Sequence, residues 1–239
     1  MSCRIGISMR VVNALDYHDP RDALSQDWYP FLESCGITPV LIPNIEDAVS
    51  KYLEDLKVEG IVLSGGNNLC AKTCGGDPSE VIPDTSAARD ATERSIIDFA
   101  ISKGLPILGV CRGMQMLNAY FGGRTLTDIQ SQVPGAAEHV ACEHEIRFVD
   151  DTISRAIGVE SASVNSFHNQ GLTKTELADT LECIAIAVED GVVEGLVHKE
   201  LPILGIEWHP ERPHSAPEID AYLFRSLLVE RNFLSEVEK

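Results

Sequence analysis

Basic residues are scarce in this chain of 239 residues. It contains 19 Lys and Arg against 37 Asp and Glu, which gives a formal net charge of −18 at pH 7 with histidine neutral. No run of Lys or Arg offers a local basic patch. Because a chain with this charge repels polyanions, we expect it to have no nucleic-acid partner.

Long apolar runs are also missing. No stretch reaches the roughly 18 consecutive apolar residues that a membrane-spanning helix requires. The N-terminal segment contains Arg4 and Arg10 and no apolar region of the kind that a secretory signal has. These absences predict a cytoplasmic protein without membrane contact.

The cysteines show no pairing pattern. They are scattered and odd in number, at Cys3, Cys35, Cys70, Cys74, Cys111, Cys142 and Cys183. A disulfide framework is therefore not expected. Cys70 with Cys74, and Cys142 with His144, lie close in sequence, but neither pair has the spacing of a structural zinc site. We therefore predict no metal ligand and no cofactor.

The composition is that of a globular protein. Hydrophobic residues make up 44% of the chain and charged residues 23%, which leaves enough apolar material for a sizeable core. The length suits one α/β domain, and the sequence has no internal repeat, low-complexity tract or linker. We predict a single domain over residues 1–239.

The first half of the chain alternates between two kinds of segment. Short apolar runs predict buried strands at 4–8, 38–42, 60–63 and 106–110. Apolar residues that recur every three or four positions predict helices at 24–35, 49–56 and 86–102. Strands that alternate with helices indicate right-handed βαβ units and a doubly wound, mostly parallel sheet.

The second half has a different character. Apolar runs separated by turns predict an antiparallel extension of the sheet, with strands at 145–149, 182–188 and 192–197. Residues 202–206 resemble another core strand, and 219–229 a closing helix. The predicted fold is therefore a flavodoxin-like α/β domain with a mostly parallel sheet and an antiparallel extension.

The segment Gly109-Val-Cys-Arg-Gly113 follows a predicted buried strand and precedes a helical segment. Glycines two residues before and after Cys111 permit the sharp turn of a nucleophile elbow, with cysteine in the serine position. Such a turn places the thiol at a helix N-terminus, where free N–H groups favour the thiolate. The pattern predicts that Cys111 is a catalytic nucleophile. The alternative is an ordinary buried cysteine between loop glycines.

A histidine and a carboxylate follow another predicted core strand. His209 and Glu211 come just after residues 202–206, at the edge of the sheet where α/β proteins bind ligands. This spacing permits a Cys111–His209–Glu211 triad in which Glu211 orients the imidazole. The alternative for His-Pro-Glu is a surface turn.

A glycine turn, Ser64-Gly-Gly66, ends the predicted strand at 60–63. Acyl transfer needs two N–H donors aimed at the developing oxyanion, and glycine lets the backbone approach closely. We assign these donors to Gly66 and to Arg112, the residue that follows the nucleophile.

These motifs together resemble the class I glutamine amidotransferase superfamily. The resemblance rests on Gly109-x-Cys111-x-Gly113 with Gln115, on the Ser64-Gly-Gly66 turn and on the late His209-Pro-Glu211, and it covers nearly the whole chain. It implies a glutamine amidotransferase-like fold and a cysteine-dependent hydrolase. That hydrolase would release glutamate from a γ-glutamyl amide without a metal or an organic cofactor.

Residues 164–170, Val-Asn-Ser-Phe-His-Asn-Gln, are similar to the Ser-x-His-x-Gln segment of the γ-glutamyl hydrolase branch of this superfamily. The resemblance implies that Gln115, together with Ser166, Phe167 and His168, holds the α-amino and α-carboxylate ends of the γ-glutamyl group. The expected partner is then a small-molecule γ-glutamyl amide, and the chain could also form a homodimer.

Three further segments resemble one subfamily. Asn67-Asn-Leu69, and the N-terminal residues 8–10 and 21–28, look like the branch that hydrolyses γ-glutamyl-CDP-amidate during phosphoramidate decoration of bacterial surface polysaccharides, a part of capsule biosynthesis. Such a substrate is anionic. Arg10 and Arg21 are the candidate phosphate ligands, because a guanidinium donates two parallel hydrogen bonds to phosphate.

Three other functions stay open from the sequence. A γ-glutamyl-γ-aminobutyrate hydrolase of polyamine catabolism would share the triad, and so would a glutaminase subunit that delivers ammonia to a synthetase. A non-catalytic binding protein on the same scaffold would normally lack the nucleophile or the base, whereas Cys111, His209 and Glu211 are all present. We expect the γ-glutamyl amide hydrolase, with CDP-amidate as the leaving group.

Overall fold

The strands of the chain form one large sheet and one small hairpin. The structure, a computed structural model, describes residues 3–14 and 19–233. Within these residues the large sheet has nine strands. They are β1 (Cys3–Ser8), β4 (Ile37–Ile42), β5 (Gly60–Leu63), β6 (Ile107–Val110), β7 (Val140–Phe148), β8 (Ser161–Phe167), β9 (Leu181–Ala187), β10 (Val193–His198) and β11 (Ile203–Ile206). The hairpin pairs β2 (Arg10–Asn13) with β3 (Pro20–Ala23).

One half of the large sheet is parallel. Its strands lie in the order β4-β1-β5-β6-β11, and each neighbouring pair is parallel. Numbered along the chain, these five strands have the order 2-1-3-4-5, which is that of flavodoxin. Every residue of β5, β6 and β11 is buried, as continuous apolar runs require. The predicted flavodoxin-like fold is confirmed.

The other half of the sheet is antiparallel, in the order β11-β10-β9-β7-β8. The predicted antiparallel extension is therefore confirmed. Its last strand, Ser161–Phe167, has no counterpart in the sequence-based prediction, because its sequence Ser-Ala-Ser-Val-Asn-Ser-Phe is mostly polar. A polar strand is tolerated there because β8 pairs with β7 alone, at the edge of the sheet.

The helices pack on both faces of the parallel half of the sheet and also against the antiparallel half. They are α1 (Trp28–Ser34), α2 (Val49–Leu56), α3 (Ala87–Lys103), α4 (Arg112–Tyr120), α5 (Ile129–Gln132), α6 (Asp151–Ile157) and α7 (Pro217–Phe224), and a π-helical turn over Arg225–Val229 extends the last one. One apolar core places α1 and α7 against β1, through residues such as Leu32, Phe224 and Ile5. A second core places α3 against β5, through residues such as Ile97 and Ile61.

Two helix boundaries differ from the prediction. The helix predicted from residue 24 begins at Trp28, and the one predicted from residue 219 begins at Pro217. Proline at the first helical position is favoured because its missing N–H would be unpaired there in any case. Among the described residues, no helix combines the length and the apolar character needed to cross a bilayer.

Candidate active site

Cys111 lies in a sharp turn between β6 and α4. Its backbone has φ 52° and ψ −113°, a left-handed conformation that is strained for a residue with a side chain. The flanking glycines are required by space. A Cβ on Gly113 would overlap the carbonyl of Leu63, and one on Gly109 would lie 2.6 Å from the backbone of Gly113. This is the turn that the glycine spacing predicts.

His209 and Glu211 follow β11 and form a pair. The Nδ1 atom of His209 lies 2.8 Å from Oε1 of Glu211, and both side chains are buried. The backbone of His209 is held from the antiparallel half of the sheet. Its N–H donates to Oδ1 of Asn165 at 2.9 Å, and the Asn165 amide donates to its carbonyl at 2.8 Å. The sequence predicts no structural or catalytic role for Asn165, although it lies in the segment 164–170.

Gly65 separates the cysteine from the histidine. A Cβ on this residue would lie 2.7 Å from Cε1 of His209 and 3.4 Å from Cβ of Cys111. The two side chains therefore approach Gly65 together and line one cavity of about 400 Å³. Because β5, β6 and β11 are parallel, their carboxyl ends bring all three residues to the same edge of the sheet.

The glycine turn after β5 is fixed by a buried arginine. Arg89, on α3, donates to the carbonyls of Ser64, Gly65 and Gly66 at 2.6, 3.1 and 2.6 Å. In a trans peptide the C=O and the following N–H point in opposite directions. Since the Gly65 carbonyl faces Arg89, the N–H of Gly66 faces away from it, and Gly66 lines the cavity.

Arg89 belongs to a buried ion-pair cluster that also holds Arg112. Arg89 pairs with Glu93 at 2.9 Å, while the Arg112 guanidinium pairs with Glu93 and, at 2.5 Å, with Asp90. The Arg112 side chain thus turns into the protein, and its N–H stands in the first turn of α4. Sequence reasoning missed this cluster, although the four-residue spacing of Arg89 and Glu93 on a helix is a signal for an ion pair.

The environment of Cys111 disfavours the ionised form of its thiol. Burial, reinforced by the carboxylate of Glu207, raises the pKa of Cys111 above its ordinary value, and the hydrogen bond from the Arg112 N–H opposes this only in part. The helix N-terminus favours the thiolate through this N–H, as expected, but desolvation outweighs its effect on the pKa. A base has to remove the proton when the sulfur reacts.

Glu207 and His168 form a coupled pair beside the cysteine. Burial raises the pKa of Glu207 to about 8. Burial opposes protonation of His168, but the carboxylates of Glu207 and Glu194 outweigh it and raise the pKa of His168 to about 9. Near neutral pH the structure thus favours a positive charge on or next to His168.

Four of the six predicted substrate-binding residues line the cavity: Gln115, Phe167, His168 and Arg10. The other two do not. Ser166 is fully buried, and its hydroxyl donates to the carbonyl of His139 at 2.8 Å. Arg21, on β3, donates to Asp19 at 2.7 and 2.9 Å.

Arg212 also lines the cavity, and sequence reasoning missed it. Its guanidinium lies over the ring of Phe167 at 4.2 Å, and its Nε atom lies 3.8 Å from Oε1 of Glu211. The signal in the sequence was its position three residues after His209. The cavity thus presents two partly exposed guanidinium groups, those of Arg10 and Arg212.

Known proteins share this sequence pattern. The profile of the peptidase C26 family matches residues 4–211. A γ-glutamyl-CDP-amidate hydrolase of Campylobacter jejuni is 30% identical over 219 residues, which cover 90% of this chain and 93% of the relative. A γ-glutamyl-γ-aminobutyrate hydrolase of Escherichia coli is 29% identical over 210 residues, which cover 81% of this chain and 80% of the relative.

A solved structure shares the fold. A putative GMP synthase component from Thermoplasma acidophilum has a TM-score of 0.66 against this chain at 20% identity, and the match covers 100% of this chain and 98% of that one. This likeness concerns the fold alone. The family profile spans most of the chain and includes the elbow, the glycine turn and the His-Pro-Glu segment. The chain therefore belongs to the peptidase C26 family and is an amide hydrolase.

Proposed function

We propose that the chain hydrolyses γ-glutamyl amides with Cys111, His209 and Glu211 as its catalytic triad. One observation supports this most directly. A strained cysteine directly before α4 and a buried histidine that pairs with Glu211 both approach Gly65, and the cysteine and the histidine line one cavity. Nucleophile, base and orienting carboxylate are the parts that acyl transfer through a covalent intermediate requires.

The reaction begins with the Cys111 thiol protonated. His209 takes the thiol proton as the sulfur attacks the δ-carbonyl of the γ-glutamyl group, and Glu211 holds the imidazole through Nδ1. The N–H groups of Gly66 and Arg112 stabilise the oxyanion. The proton then passes from His209 to the leaving amine. Water, activated by the same histidine, opens the thioester and releases glutamate.

The acyl half of the substrate binds at the inner wall of the cavity. Gln115 is held there by hydrogen bonds to the Gln170 carbonyl at 3.0 Å and to Glu207 at 2.5 Å. We infer that Gln115 and the segment from Phe167 to His168 help to hold the α-amino and α-carboxylate ends of the γ-glutamyl group, and that Arg212 pairs with the α-carboxylate. Ser166 acts indirectly, because its hydroxyl ties β8 to the segment before β7.

For the leaving group we propose a CDP-amidate. Two of the segments that resemble the CDP-amidate branch, 8–10 and 67–69, lie near each other, because Asn67 contacts Val11, the residue directly after the first segment. The Asn67 side chain accepts from the Val11 N–H at 2.8 Å and donates to the Val11 carbonyl at 2.9 Å, as a neighbouring strand would. A second cavity of about 690 Å³ shares Asn67 and Asp84 with the first, which gives a nucleotide-sized group room beyond the acyl site.

Arg10 lines the first cavity beside Asp84, which lines both cavities. Its side chain covers Gly66, and its guanidinium pairs with Asp84 at 3.2 Å in a half-exposed contact. An exposed ion pair of this kind contributes little to stability, so the guanidinium can exchange Asp84 for a phosphate. A local cation is needed because the net charge of −18 opposes the approach of an anionic nucleotide.

Glutamate release from three amides tests the proposal. We expect a higher kcat/KM for γ-glutamyl-CDP-amidate than for γ-glutamyl-γ-aminobutyrate or glutamine, because only the first fills the second cavity. A preference for γ-glutamyl-γ-aminobutyrate would overturn the substrate assignment and leave the hydrolase standing. Release that is fastest from glutamine and rises with a synthetase would favour the glutaminase function. No release from any of them would overturn the hydrolase.

Replacing Arg10 by alanine is expected to raise KM for γ-glutamyl-CDP-amidate by about tenfold or more, since a charged hydrogen bond contributes about 1.5–3 kcal/mol. KM for γ-glutamyl-γ-aminobutyrate should stay nearly constant, because the acyl site is unaltered. Steady-state kinetics on both substrates measure the difference.

Two other arginines serve as controls for this variant. Arg21→Ala, outside both cavities, should change neither KM. Arg212→Ala should raise both, because every substrate has the γ-glutamyl carboxylate. Equal effects of Arg10→Ala on the two substrates would show that Arg10 supports the glycine turn and does not recognise the nucleotide.

A further inference from the structure

Three histidines and a glutamate converge in the antiparallel half of the protein. His139 precedes β7, His144 lies in β7, His168 follows β8 and Glu194 lies in β10. All four are buried, and Glu194 is fully so. Of the four, the cavity around Cys111 is lined by His168 alone. The proposed triad therefore leaves this cluster without a chemical role.

The facing atoms of this cluster lie near one another but form no hydrogen bonds of good geometry. From Oε1 of Glu194 the distances are 3.7 Å to Nδ1 of His139, 3.3 Å to Nε2 of His144 and 3.5 Å to Nε2 of His168. None of these nitrogens, and neither oxygen of Glu194, has a hydrogen-bond partner. Buried polar atoms nearly always have a hydrogen-bond partner. A group of unpartnered polar atoms that face one another therefore indicates that they share a bound ligand.

In two of these histidines, the ring nitrogen that faces away from Glu194 forms a hydrogen bond, and this bond fixes where the ring carries its hydrogen. Nε2 of His139 lies 2.9 Å from a carboxylate oxygen of Asp190, and Nδ1 of His168 lies 2.9 Å from the Gln170 carbonyl. Both oxygens can only accept, so both ring nitrogens carry hydrogen. In a neutral imidazole the other nitrogen is then an acceptor. With both imidazoles neutral, two lone pairs point at the Glu194 carboxylate, and a shared cation in place of a proton supplies the positive charge that is favoured at His168.

We propose that His139, His168 and Glu194 bind one divalent transition-metal ion, with zinc as the fitting metal. Their ligand atoms all lie within 4.8 Å of one another. In a tetrahedral zinc site with bonds of about 2.0–2.1 Å, ligand atoms are about 3.3 Å apart. The separations of 3.5 and 3.7 Å from Glu194 come within a few tenths of that value. Two imidazoles with one carboxylate select zinc and its neighbours over Mg²⁺ or Ca²⁺.

The surroundings are those of a metal site. Asp190 and the Gln170 carbonyl fix the two imidazoles through their outer N–H groups, the usual support of histidine ligands. Nε2 of His144 lies 3.3 Å from Oε1 of Glu194, so that His144 can donate to the carboxylate that would bind the metal. Bound there, the ion takes no part in amide cleavage; it holds His168 at the wall of the substrate cavity.

The metal content of the purified protein, with any affinity tag removed, tests this proposal independently of glutamate release. Mass spectrometry of the metal should find about one zinc per chain. After removal of zinc by a chelator, Co²⁺ should bind in a one-to-one ratio and give the visible absorption of a nitrogen–oxygen site. His139→Gln and Glu194→Gln should abolish binding, and His144→Gln should weaken it by about 10–100-fold. His198→Asn, a buried histidine on β10 outside the cluster, should bind as the wild type does.

Three results would overturn the proposal. Wild-type protein with no stoichiometric zinc and no cobalt spectrum would show that protons alone occupy the cluster. An intense thiolate-to-cobalt band would place the metal on a cysteine. Full binding by both His139→Gln and Glu194→Gln would place it elsewhere. If either variant fails to fold, the stoichiometry and the cobalt spectrum of the wild-type protein still decide.

Discussion

Replacement of Cys111 by alanine or serine is expected to lower kcat/KM for any γ-glutamyl amide by several orders of magnitude. Loss of the nucleophile in a triad enzyme removes nearly all of the rate enhancement that the triad provides. Serine should not rescue the reaction, because its hydroxyl is far less acidic than a thiol and burial already disfavours the anion at this position. Glutamate release under single-turnover conditions measures the loss.

A matched variant makes the Cys111 result specific. Cys142→Ser changes a partly exposed thiol on β7, outside the cavity, and should keep wild-type activity. Urea unfolding should show that the Cys111 variants are folded. If either of them keeps more than about a tenth of the wild-type rate, Cys111 is not the nucleophile, since triad enzymes lose far more.

Replacement of His209 by asparagine should cost nearly as much as loss of the cysteine. The raised pKa of Cys111 means that the thiol cannot ionise without a base, so His209→Asn should lower kcat by about a thousandfold or more. Glu211→Gln should cost less, about 10–100-fold, because Glu211 touches only Nδ1 of the imidazole and orients it. The rate of the acylation step, measured for each variant by rapid mixing, separates the two effects.

The relative losses of activity in His209→Asn and Glu211→Gln test the roles assigned to the two residues. Losses of equal size would mean that Glu211 acts on the substrate or on a proton directly. A larger loss for Glu211→Gln would reverse the assigned roles. Asn165→Ala offers an independent check, because it frees the backbone of His209 without removing a side chain of the proposed triad.

The sequence predicts the parallel half of the fold and the centre of the site for a simple reason. Strands buried on both faces are continuous apolar runs, and such runs directly precede Ser64, Cys111 and Glu207. Once those strands are parallel, their carboxyl ends must meet. The turn at Cys111 follows from its two glycines, since a Cβ on Gly113 would overlap the Leu63 carbonyl and one on Gly109 would overlap the backbone of Gly113.

The substrate-binding segment was harder to predict because it is a strand and not a loop. Side chains alternate between the two faces of β8. Asn165 and Phe167 therefore share the face of His209, whereas Ser166 points to the opposite side and contacts His139. Reading Ser166 to His168 as one binding motif ignores this alternation.

The histidine cluster shows a different limit of the sequence. Its members come from positions 139, 144, 168 and 194, and the order β10-β9-β7-β8 brings them together. No short sequence motif contains these four residues. The potential metal ligands that are close in sequence are instead Cys70 with Cys74 and Cys142 with His144. The raised pKa of Cys111 was equally hidden, because it depends on burial beside Glu207.

The left-handed backbone at Cys111 makes the proposed nucleophile a source of instability for the folded chain. A non-glycine residue with φ 52° costs about 1–3 kcal/mol, a cost that glycine avoids. The free energy of folding thus favours a chain with glycine at the position where the proposed chemistry needs a thiol. Selection for thermostability alone, in the laboratory or in a lineage that no longer uses the enzyme, would favour loss of this cysteine. Activity has to be selected alongside stability if the nucleophile is to be kept.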